Sequence, residues 1–342
     1  MESGEKVYKD YSLEALCSRL EVPSKTLVVY HRNPDADCIG SALGLALLLW
    51  EMGSPVCISG SDPVPNHLKF LAQGQPFRPM EEAFEAFVPD RVASVDVASP
   101  EQLGREVSDR VEIQLMIDHH GRGTRFADGY VDPHAAAVSE IVFDMGKIWM
   151  EHQKLARFPR GAADALYAGI AGDTGGFRFS NTTAQTYIRA AELVGMGVDS
   201  SEICRRLFAS KSKAQLRAEH CGYANMRYLC GEKATLTLIS LQDRERLGLR
   251  EEDLGTVIDV IREIEGVELA GVIRQVGKET FRVSLRSARC VDVAAICSRF
   301  GGGGHARAAG CTLTLPNCEE AWAAMEACFT QALEACGESS GQ

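Results

Sequence analysis

The chain lacks several features that would place it in a special class of protein. Its longest apolar run, Ile39–Trp50, has twelve residues, fewer than the roughly 18 needed to cross a bilayer. The first six residues, Met1–Lys6, have neither the basic start nor the apolar core of a signal peptide. The sequence contains no internal repeat and no low-complexity tract. We therefore expect a folded, cytoplasmic protein that does not bind membranes.

Cysteine is abundant, but no Cys-x-x-Cys pair is present among the twelve. Cys17, Cys328 and Cys336 lie in helix-like apolar patterns, which favours reduced, buried thiols over a disulfide or zinc framework. The net charge of -11 argues against a protein that coats long duplex nucleic acid. Residues 271–310 nevertheless carry seven Lys or Arg against two acidic residues, a local charge of +5 that suits short phosphorylated ligands.

A length of 342 residues predicts two domains. In residues 1–200, short apolar runs alternate with helical patterns such as Ile39–Met52 and Glu81–Phe87. This alternation predicts an α/β domain in which helices flank a parallel sheet. The predicted strands are Thr26–Tyr30, Pro55–Ser59, Arg91–Val95 and Glu112–Ile117.

A polar helical linker is predicted over residues 201–230, followed by a smaller α/β domain over residues 231–342. Leu269–Val276 and Thr280–Ser287 are separated by a short turn and predict a hairpin with one apolar and one cationic face. The remaining predicted elements are a strand at Ala234–Leu241, a helix at Val291–Phe300 and a long helix beginning at Asn317.

Polar residues follow apolar runs at four places in the first domain. Asp118-His119-His120 comes directly after Glu112–Ile117, which has the pattern of a buried strand, and chemistry in α/β proteins is commonly placed where the chain leaves the sheet. The same pattern recurs with the turn His31 to Asp37, with Asp96, and with Asp173 after the apolar run Ala165–Ala171. Taken singly, Asp35 or Asp37 could be only a helix cap, and an isolated Asp after a strand, such as Asp96, is more often a cap than a ligand.

Together the four turns offer four carboxylates and two imidazoles as metal ligands. Such a set, without thiolate, suits Mn²⁺ or a related ion such as Mg²⁺ or Co²⁺ better than structural zinc. Six ligands exceed what one catalytic ion with open positions needs, so we predict two ions roughly 3.5–4 Å apart. This predicts metal-assisted phosphoester hydrolysis by His31, Asp35, Asp37, Asp96, His119 and Asp173.

The order of these motifs resembles the DHH phosphoesterase superfamily, and specifically its compact nanoRNase and pAp phosphatase group. A later segment, Arg286-Ser287 with Gly301 to Gly310, looks like the first type of DHH-associated domain. The resemblance implies a DHH domain and a DHH-associated domain with the active site in a cleft between them, and it hints at a homodimer. It covers residues 26–315.

The resemblance also implies a role for each residue of the site. Asp96 would bridge the ions, His120 would contact the scissile phosphate, and Asp118 would orient the histidines. One ion would have His31, Asp35 and Asp96 as ligands, and the other Asp37, Asp96, His119 and Asp173. A departure from the family is Cys38, which stands where alanine is common and places a thiol beside the site.

Substrate contacts are expected mainly from the second domain. The four glycines before His305 expose backbone amides that can wrap a phosphate. In isolation a flexible turn explains them better, but beside Arg286, Ser287 and the cationic face of the hairpin they favour substrate binding. The predicted contacts are Arg286, Ser287, Gly302, Gly303, Gly304 and His305, with Arg178 as a candidate from the first domain.

We therefore expect an enzyme that cleaves short oligoribonucleotides to 5′-mononucleotides and adenosine 3′,5′-bisphosphate to AMP. Phosphodiesterase activity on cyclic or linear dinucleotides is the alternative, because the family uses the same metal core for it. A regulator that binds nucleotides without hydrolysing them is less favoured, because every expected metal ligand is present.

Overall fold

The computed structural model describes residues 7–121 and 123–339 and divides the chain into two compact units, residues 1–210 and 211–342. The segment predicted as a helical linker, residues 201–230, contains one helix of each unit and a short strand. In the described part of the chain, no helix is both long enough and apolar enough to span a membrane.

The first unit is built on a five-stranded parallel sheet in the order β2-β1-β3-β4-β5. Its strands are β1 (Thr26–Tyr30), β2 (Val56–Gly60), β3 (Arg91–Val95), β4 (Leu115–Asp118) and β5 (Asp128–Val131). The predicted α/β class and parallel sheet are confirmed. The strand predicted at Glu112–Ile117 is observed as Leu115–Asp118, so it begins and ends later than predicted.

The described residues of this unit form ten helices, together with a 3-10 turn at Asn66–Leu68 and a π-helical turn at Ala83–Phe87. They are α1 (Leu13–Leu20), α2 (Ala36–Glu51), α3 (Lys69–Ala72), α4 (Met80–Glu82), α5 (Pro100–Leu103), α6 (Arg105–Ser108), α7 (Val138–Glu151), α8 (Arg160–Asp173), α9 (Ala184–Gly195) and α10 (Ser200–Phe208). The largest apolar core packs α1, α2, α7 and α8 against the sheet.

The second unit has a six-stranded sheet in the order β10-β11-β9-β8-β7-β6, antiparallel except between β7 and β8. Its strands are β6 (Arg227–Leu229), β7 (Ala234–Ile239), β8 (Leu269–Gln275), β9 (Thr280–Ser287), β10 (Gly303–His305) and β11 (Ala308–Thr314). Its helices are α11 (Lys213–Asn225), α12 (Leu241–Leu247), α13 (Val257–Arg262), α14 (Val293–Ser298) and α15 (Cys318–Ser339), with a 3-10 turn at Glu251–Leu254.

The predicted hairpin of β8 and β9 is present, and its two faces differ as expected. Phe281, Val283 and Leu285 are buried against α14 and α15, because alternate residues of a strand point to one face. On the other face, Arg274 and Arg282 lie within 3.2 and 3.7 Å of the same Glu251 carboxylate. This carboxylate partly neutralises the cationic face.

One disulfide, Cys290–Cys336, corrects the prediction that the cysteines are reduced. The Cα atoms of the two cysteines are 6.0 Å apart. The disulfide joins the loop before α14 to the last turns of α15. The two residues are 46 positions apart, a spacing that no short motif reveals. The prediction is correct for Cys17 and Cys328, which are buried free thiols.

Reduction of this disulfide should destabilise the second unit. Closing a loop of this length removes about 4 kcal/mol of chain entropy from the unfolded state, and engineered cases often show less. We expect a reductant to lower the melting temperature of this unit by roughly 10 °C in calorimetry of the full chain. The double variant Cys290→Ser/Cys336→Ser should melt at the lower temperature with or without reductant. Complete alkylation of all cysteines in the unreduced protein would contradict the assignment.

Candidate metal centre

The carboxyl edge of the parallel sheet collects most of the predicted ligands. His31 follows β1, Asp96 follows β3, and Asp118 ends β4, directly before His119 and His120. Because parallel strands end at the same edge, residues far apart in sequence meet there. His31 Nε2 lies 3.5 Å from Asp96 Oδ2, and His119 Nε2 lies 3.6 Å from Asp96 Oδ1.

The fourth turn, which carries Asp173, follows a helix, whereas the other three turns follow strands of the sheet. The apolar run Ala165–Ala171 is not a strand but the interior of α8, and Asp173 is the last residue of that helix. The run is apolar because α8 is buried between neighbouring elements, a case in which composition does not separate strand from helix. Asp173 still arrives at the site, with its Oδ2 3.4 Å from His119 Nε2.

Close packing of α2 against α8 sets the position of two ligands. A Cβ atom at Gly40 would lie 2.5 Å from the carbonyl oxygen of Ala165, so the two backbones approach as closely as glycine allows. A Cβ at Gly169 would clash with Ser139 Oγ and lie 2.8 Å from Asp37 Oδ1. The glycines thus hold Asp37, on α2, beside the helix that ends in Asp173.

We expect Gly169→Ala to cost about 1–3 kcal/mol of unfolding free energy through overpacking, and to lower activity by displacing Asp37. Gly195→Ala is a matched control, because a Cβ at that exposed helical position meets nothing within 4 Å. The control should keep full activity and unchanged or slightly higher stability. Chemical denaturation and an activity assay measure both effects. Equal behaviour of the two variants would contradict the packing argument.

Two imidazoles are oriented as metal ligands by backbone carbonyls. His31 Nδ1 bonds to the carbonyl oxygen of Arg32 at 2.7 Å, and His119 Nδ1 bonds to that of Ala135 at 3.1 Å. A carbonyl only accepts, so Nδ1 carries a proton, and Nε2 is the ring nitrogen that faces the carboxylates. This orientation is the one that ligation requires.

Asp96 is a deeply buried carboxylate at the sheet edge, with a side chain only 4% exposed. Its backbone adopts a φ of 57°, in the left-handed region that Asp and Asn tolerate better than most residues. Within the described residues, its Oδ1 atom accepts no hydrogen bond. A buried carboxylate oxygen without a donor is costly unless a cation compensates it.

Asp37 is held by the first residues of α7. Its Oδ2 accepts a hydrogen bond from the Val138 amide at 2.6 Å, and its Oδ1 accepts one from the Ser139 amide at 2.9 Å. The side chain is fully buried. These two amides fix the carboxylate plane, as is typical of the groups that support metal ligands.

The three carboxylates nearest the centre strongly influence one another. Burial, reinforced by the charge of Asp96, raises the pKa of Asp37 to about 7. Partial burial and the charges of Asp37 and Asp35 raise the pKa of Asp173 well above its usual range. Burial alone would also raise the pKa of Asp96, but contact with His31 and the charges of nearby imidazoles lower it to about 2. A bound cation would allow all three to ionise together.

The donor atoms fall into three groups, each within 4.8 Å: His31, Cys38 and Asp96; Asp96, His119 and His120; and Asp37, His119 and Asp173. Asp96 belongs to two groups and His119 to two. The groups fit divalent cations, because they combine imidazole nitrogens with buried, mutually repelling carboxylates.

Cys38 belongs to the first group, and Asp35 lies beside that group. Asp35 is the N-cap of α2, its Oδ1 accepting from the Cys38 amide at 3.0 Å, while its Oδ2 lies 3.8 Å from His31 Nε2. The residue therefore caps the helix and faces the site at once. Burial raises the pKa of the Cys38 thiol to about 12.

His120 has a different environment from the other two histidines. Its Nδ1 donates to Asp118 Oδ1 at 2.7 Å, and Asp118 is buried at the end of β4. Burial opposes the charged imidazolium, but this carboxylate raises the pKa of His120. Asp118 thus contacts His120, whereas the neighbouring His119 is oriented by Ala135.

The predicted residues of the second unit lie around one end of β9. Arg286 is half-buried, and burial lowers its pKa while Asp259 partly offsets that effect. The Ser287 hydroxyl donates to the carbonyl oxygen of Val291 at 2.6 Å, which ties the loop before α14 to β9. Ser287 therefore has a structural contact of its own in addition to its predicted role.

The glycine run is more ordered than a flexible turn. Gly303, Gly304 and His305 form the exposed edge strand β10, paired with β11. A Cβ at Gly302 or Gly304 would clash with backbone atoms of the neighbouring strand, so two of these glycines are required by packing. Gly303 has open space around it.

Arg178 lies on the exposed turn after α8. Its Nε donates to the carbonyl oxygen of Gly175 at 2.6 Å, and its guanidinium lies 5.9 Å from the Phe208 ring centre. The glycine pair before it has positive φ angles of 57° and 71°, so the tight turn itself requires Gly175 and Gly176.

Sequence reasoning missed the groups that support the ligands. They are the amides of Val138 and Ser139, the carbonyl of Ala135, and Asn181, whose side-chain amide donates to the carbonyls of Ala136 and Asp173. An N-terminal helix boundary near Val138 was the only available signal, since backbone groups leave no mark in a sequence pattern.

Two family models match the chain. Residues 25–170 match the DHH family N-terminal domain, and residues 235–331 match the DHHA1 domain. The bifunctional oligoribonuclease and PAP phosphatase NrnA of Thermus thermophilus is 33% identical over 294 residues, which cover 84% of this chain and 83% of that protein. This chain belongs to the DHH family. As a DHH protein it is a phosphoesterase that depends on divalent metal.

Two further similarities are informative. The cyclic-di-AMP phosphodiesterase GdpP of Geobacillus thermodenitrificans is 26% identical over 324 residues, covering 89% of this DHH chain but 47% of GdpP. The crystal structure of an exopolyphosphatase-related protein from Bacteroides fragilis matches with a TM-score of 0.83 at 23% identity, covering 94% of this chain and 96% of that one. The structural match supports the fold alone.

Proposed function

We propose that this DHH enzyme hydrolyses short oligoribonucleotides to 5′-mononucleotides and adenosine 3′,5′-bisphosphate to AMP. The observation that carries the proposal is the meeting of buried carboxylates and oriented imidazoles around Asp96, in a chain similar to NrnA over most of its length. The acidic net charge of -11 fits short substrates better than a long duplex.

The proposed cofactor is a pair of Mn²⁺ ions, for which Mg²⁺ or Co²⁺ can substitute. His31, Asp35 and Asp96 would hold one ion, and Asp37, Asp96, His119 and Asp173 the other, with Asp96 shared. Such a pair supplies Lewis acidity that activates water at neutral pH and stabilises charge on phosphate oxygens. The oxygen and nitrogen donors of this set are those that Mn²⁺ prefers.

The remaining residues of the site bind and orient the substrate. His120, held by Asp118 at 2.7 Å, is proposed to contact the scissile phosphate as a hydrogen-bond donor. Asp118 is a positioning residue, because its carboxylate fixes the ring and favours the charged imidazolium. A positively charged His120 imidazolium would stabilise the additional negative charge that develops on the phosphate in the transition state.

The second unit is proposed to bind the substrate's other phosphate and its terminal nucleotide. The supporting features are the half-buried Arg286 and the exposed backbone of β10. The proposed contacts are Arg286, Ser287, Gly302, Gly303, Gly304 and His305, with Arg178 contributed by the first unit.

The similarity to GdpP favours one alternative, phosphodiester hydrolysis of cyclic dinucleotides or of their linear products. Both functions use the same metal chemistry, so the substrate alone separates them.

A purified-protein assay with manganese tests the proposal. The substrates are adenosine 3′,5′-bisphosphate, linear diadenylate, cyclic diadenylate, a longer single-stranded RNA and pyrophosphate. We expect the bisphosphate and the linear dinucleotide to be hydrolysed fastest. Faster hydrolysis of the cyclic dinucleotide would support the alternative, and tight nucleotide binding without hydrolysis under any divalent ion would refute both. Light scattering on the same sample tests the expected homodimer.

A further inference from the structure

Cys38 lies among the metal ligands, not merely near them. It occupies the first turn of α2, directly after the predicted ligand Asp37 and three residues after Asp35, and its side chain is fully buried. Its sulfur, a nitrogen of His31 and an oxygen of Asp96 all lie within 4.8 Å of one another. These three atoms are arranged as a group that can surround one cation.

Two observations support a cation beside this group. The Asp96 side chain is only 4% exposed, and its Oδ2 lies 3.5 Å from His31 Nε2, whereas its Oδ1, which accepts no hydrogen bond from the described part of the chain, faces His119 and His120. The Nδ1 of His31 bonds to the Arg32 carbonyl, which leaves Nε2 as the ring nitrogen on the side of Asp96. A cation at this point would be within reach of an Asp96 oxygen, a His31 nitrogen and the sulfur.

Two of the three donor groups, that of His31, Cys38 and Asp96 and that of Asp37, His119 and Asp173, differ in the chemistry of their donor atoms. Asp37, His119 and Asp173 offer only oxygen and nitrogen, whereas the group of His31 and Asp96 includes a sulfur. Thiolate is a soft ligand that favours Zn²⁺ and similar ions, while carboxylate-rich sets favour Mn²⁺ and Mg²⁺. The two positions are therefore unequal even though they share Asp96.

We propose that Cys38 Sγ is a metal ligand in this enzyme, so that the position of His31 and Asp96 prefers a softer cation than the position of Asp37, His119 and Asp173. On ligation the sulfur–hydrogen bond is exchanged for a sulfur–metal bond, and the proton passes to the buffer. The inference rests on the proposed two-metal site and adds a ligand and a metal preference to it.

Cobalt provides a direct test, because a thiolate ligand gives Co²⁺ a charge-transfer band in the near ultraviolet that oxygen and nitrogen ligands do not. The full-length protein is loaded with Co²⁺ and compared with Cys38→Ser and Cys38→Ala. Cys57→Ala is the matched control, because Cys57 is another buried free thiol of the same unit, in β2. Circular dichroism verifies that each variant is folded.

We expect the band in the wild-type protein and in Cys57→Ala, and its loss in both Cys38 variants. X-ray absorption of the Zn²⁺-loaded wild-type protein should likewise show a sulfur neighbour at about 2.3 Å. A wild-type protein that binds Co²⁺ without the band, or Zn²⁺ without a sulfur neighbour, would overturn the inference. Neither measurement requires substrate, so failure here leaves the proposed hydrolysis to be judged by its own assay.

Discussion

Replacement of Asp96 by asparagine should lower kcat/KM for adenosine 3′,5′-bisphosphate by at least about 10³-fold while the fold persists. Asp96 is the carboxylate that belongs to two donor groups, so its loss affects both cation positions. The amide is nearly isosteric but neutral, and it cannot balance two divalent charges. Steady-state kinetics in excess manganese measures the effect.

Asparagine is the right replacement for a structural reason. The φ of 57° at Asp96 is accessible to asparagine at little cost, whereas alanine would add backbone strain to the loss of charge. Asp164→Asn is the control, since Asp164 lies on α8 and pairs with Arg160 at the protein surface, where such pairs contribute little stability. The control should keep full activity. Near-wild-type turnover by Asp96→Asn would show that Asp96 is not a metal ligand.

Removal of metal should lower the melting temperature of the first unit by roughly 5–10 °C. Asp37, Asp96 and Asp173 repel one another when no cation lies among them, as the raised pKa values of Asp37 and Asp173 indicate. A ligand at a hundredfold excess over its Kd stabilises a fold by about 2.7 kcal/mol, and in a domain of this size each kcal/mol shifts the transition by about 2–4 °C. Calorimetry before and after chelation measures the change.

The Asp96→Asn variant separates this effect from nonspecific ion binding. It should show a much smaller shift on chelation, because the shared ligand is lost, while Asp164→Asn should shift as the wild-type protein does. Identical melting curves for the chelated and the manganese-loaded wild-type protein would contradict the proposed centre.

The parallel sheet and most of the ligand positions were predictable from sequence because they depend on local patterns. β1 and β3 begin and end at the predicted residues, since short apolar runs with polar ends are unambiguous when they are fully buried. His31, Asp96 and His119 follow strands directly, and the shared direction of parallel strands then brings them to one edge.

What sequence could not supply was contact between distant segments. The run before Asp173 is equally apolar as a helix or a strand, and in the structure it forms the buried interior of α8, packed against α2. The Cys290–Cys336 pair and the amides of Val138 and Ser139 depend on three-dimensional proximity across tens of residues. No periodicity marks such contacts.

The glycine contact between α2 and α8 restricts how this enzyme can be redesigned. The main chains of α2 and α8 are in contact at Gly40 and Gly169, so the packing of the two helices sets the distance between the backbones that carry Asp37 and Asp173. A mutant library randomised only at Asp37 and Asp173 would test new donor groups while the distance between the two helix backbones stayed the same. To move Asp37 and Asp173 apart for a larger ion, residues along the interface between α2 and α8 would have to be changed, including residues far from the metal centre.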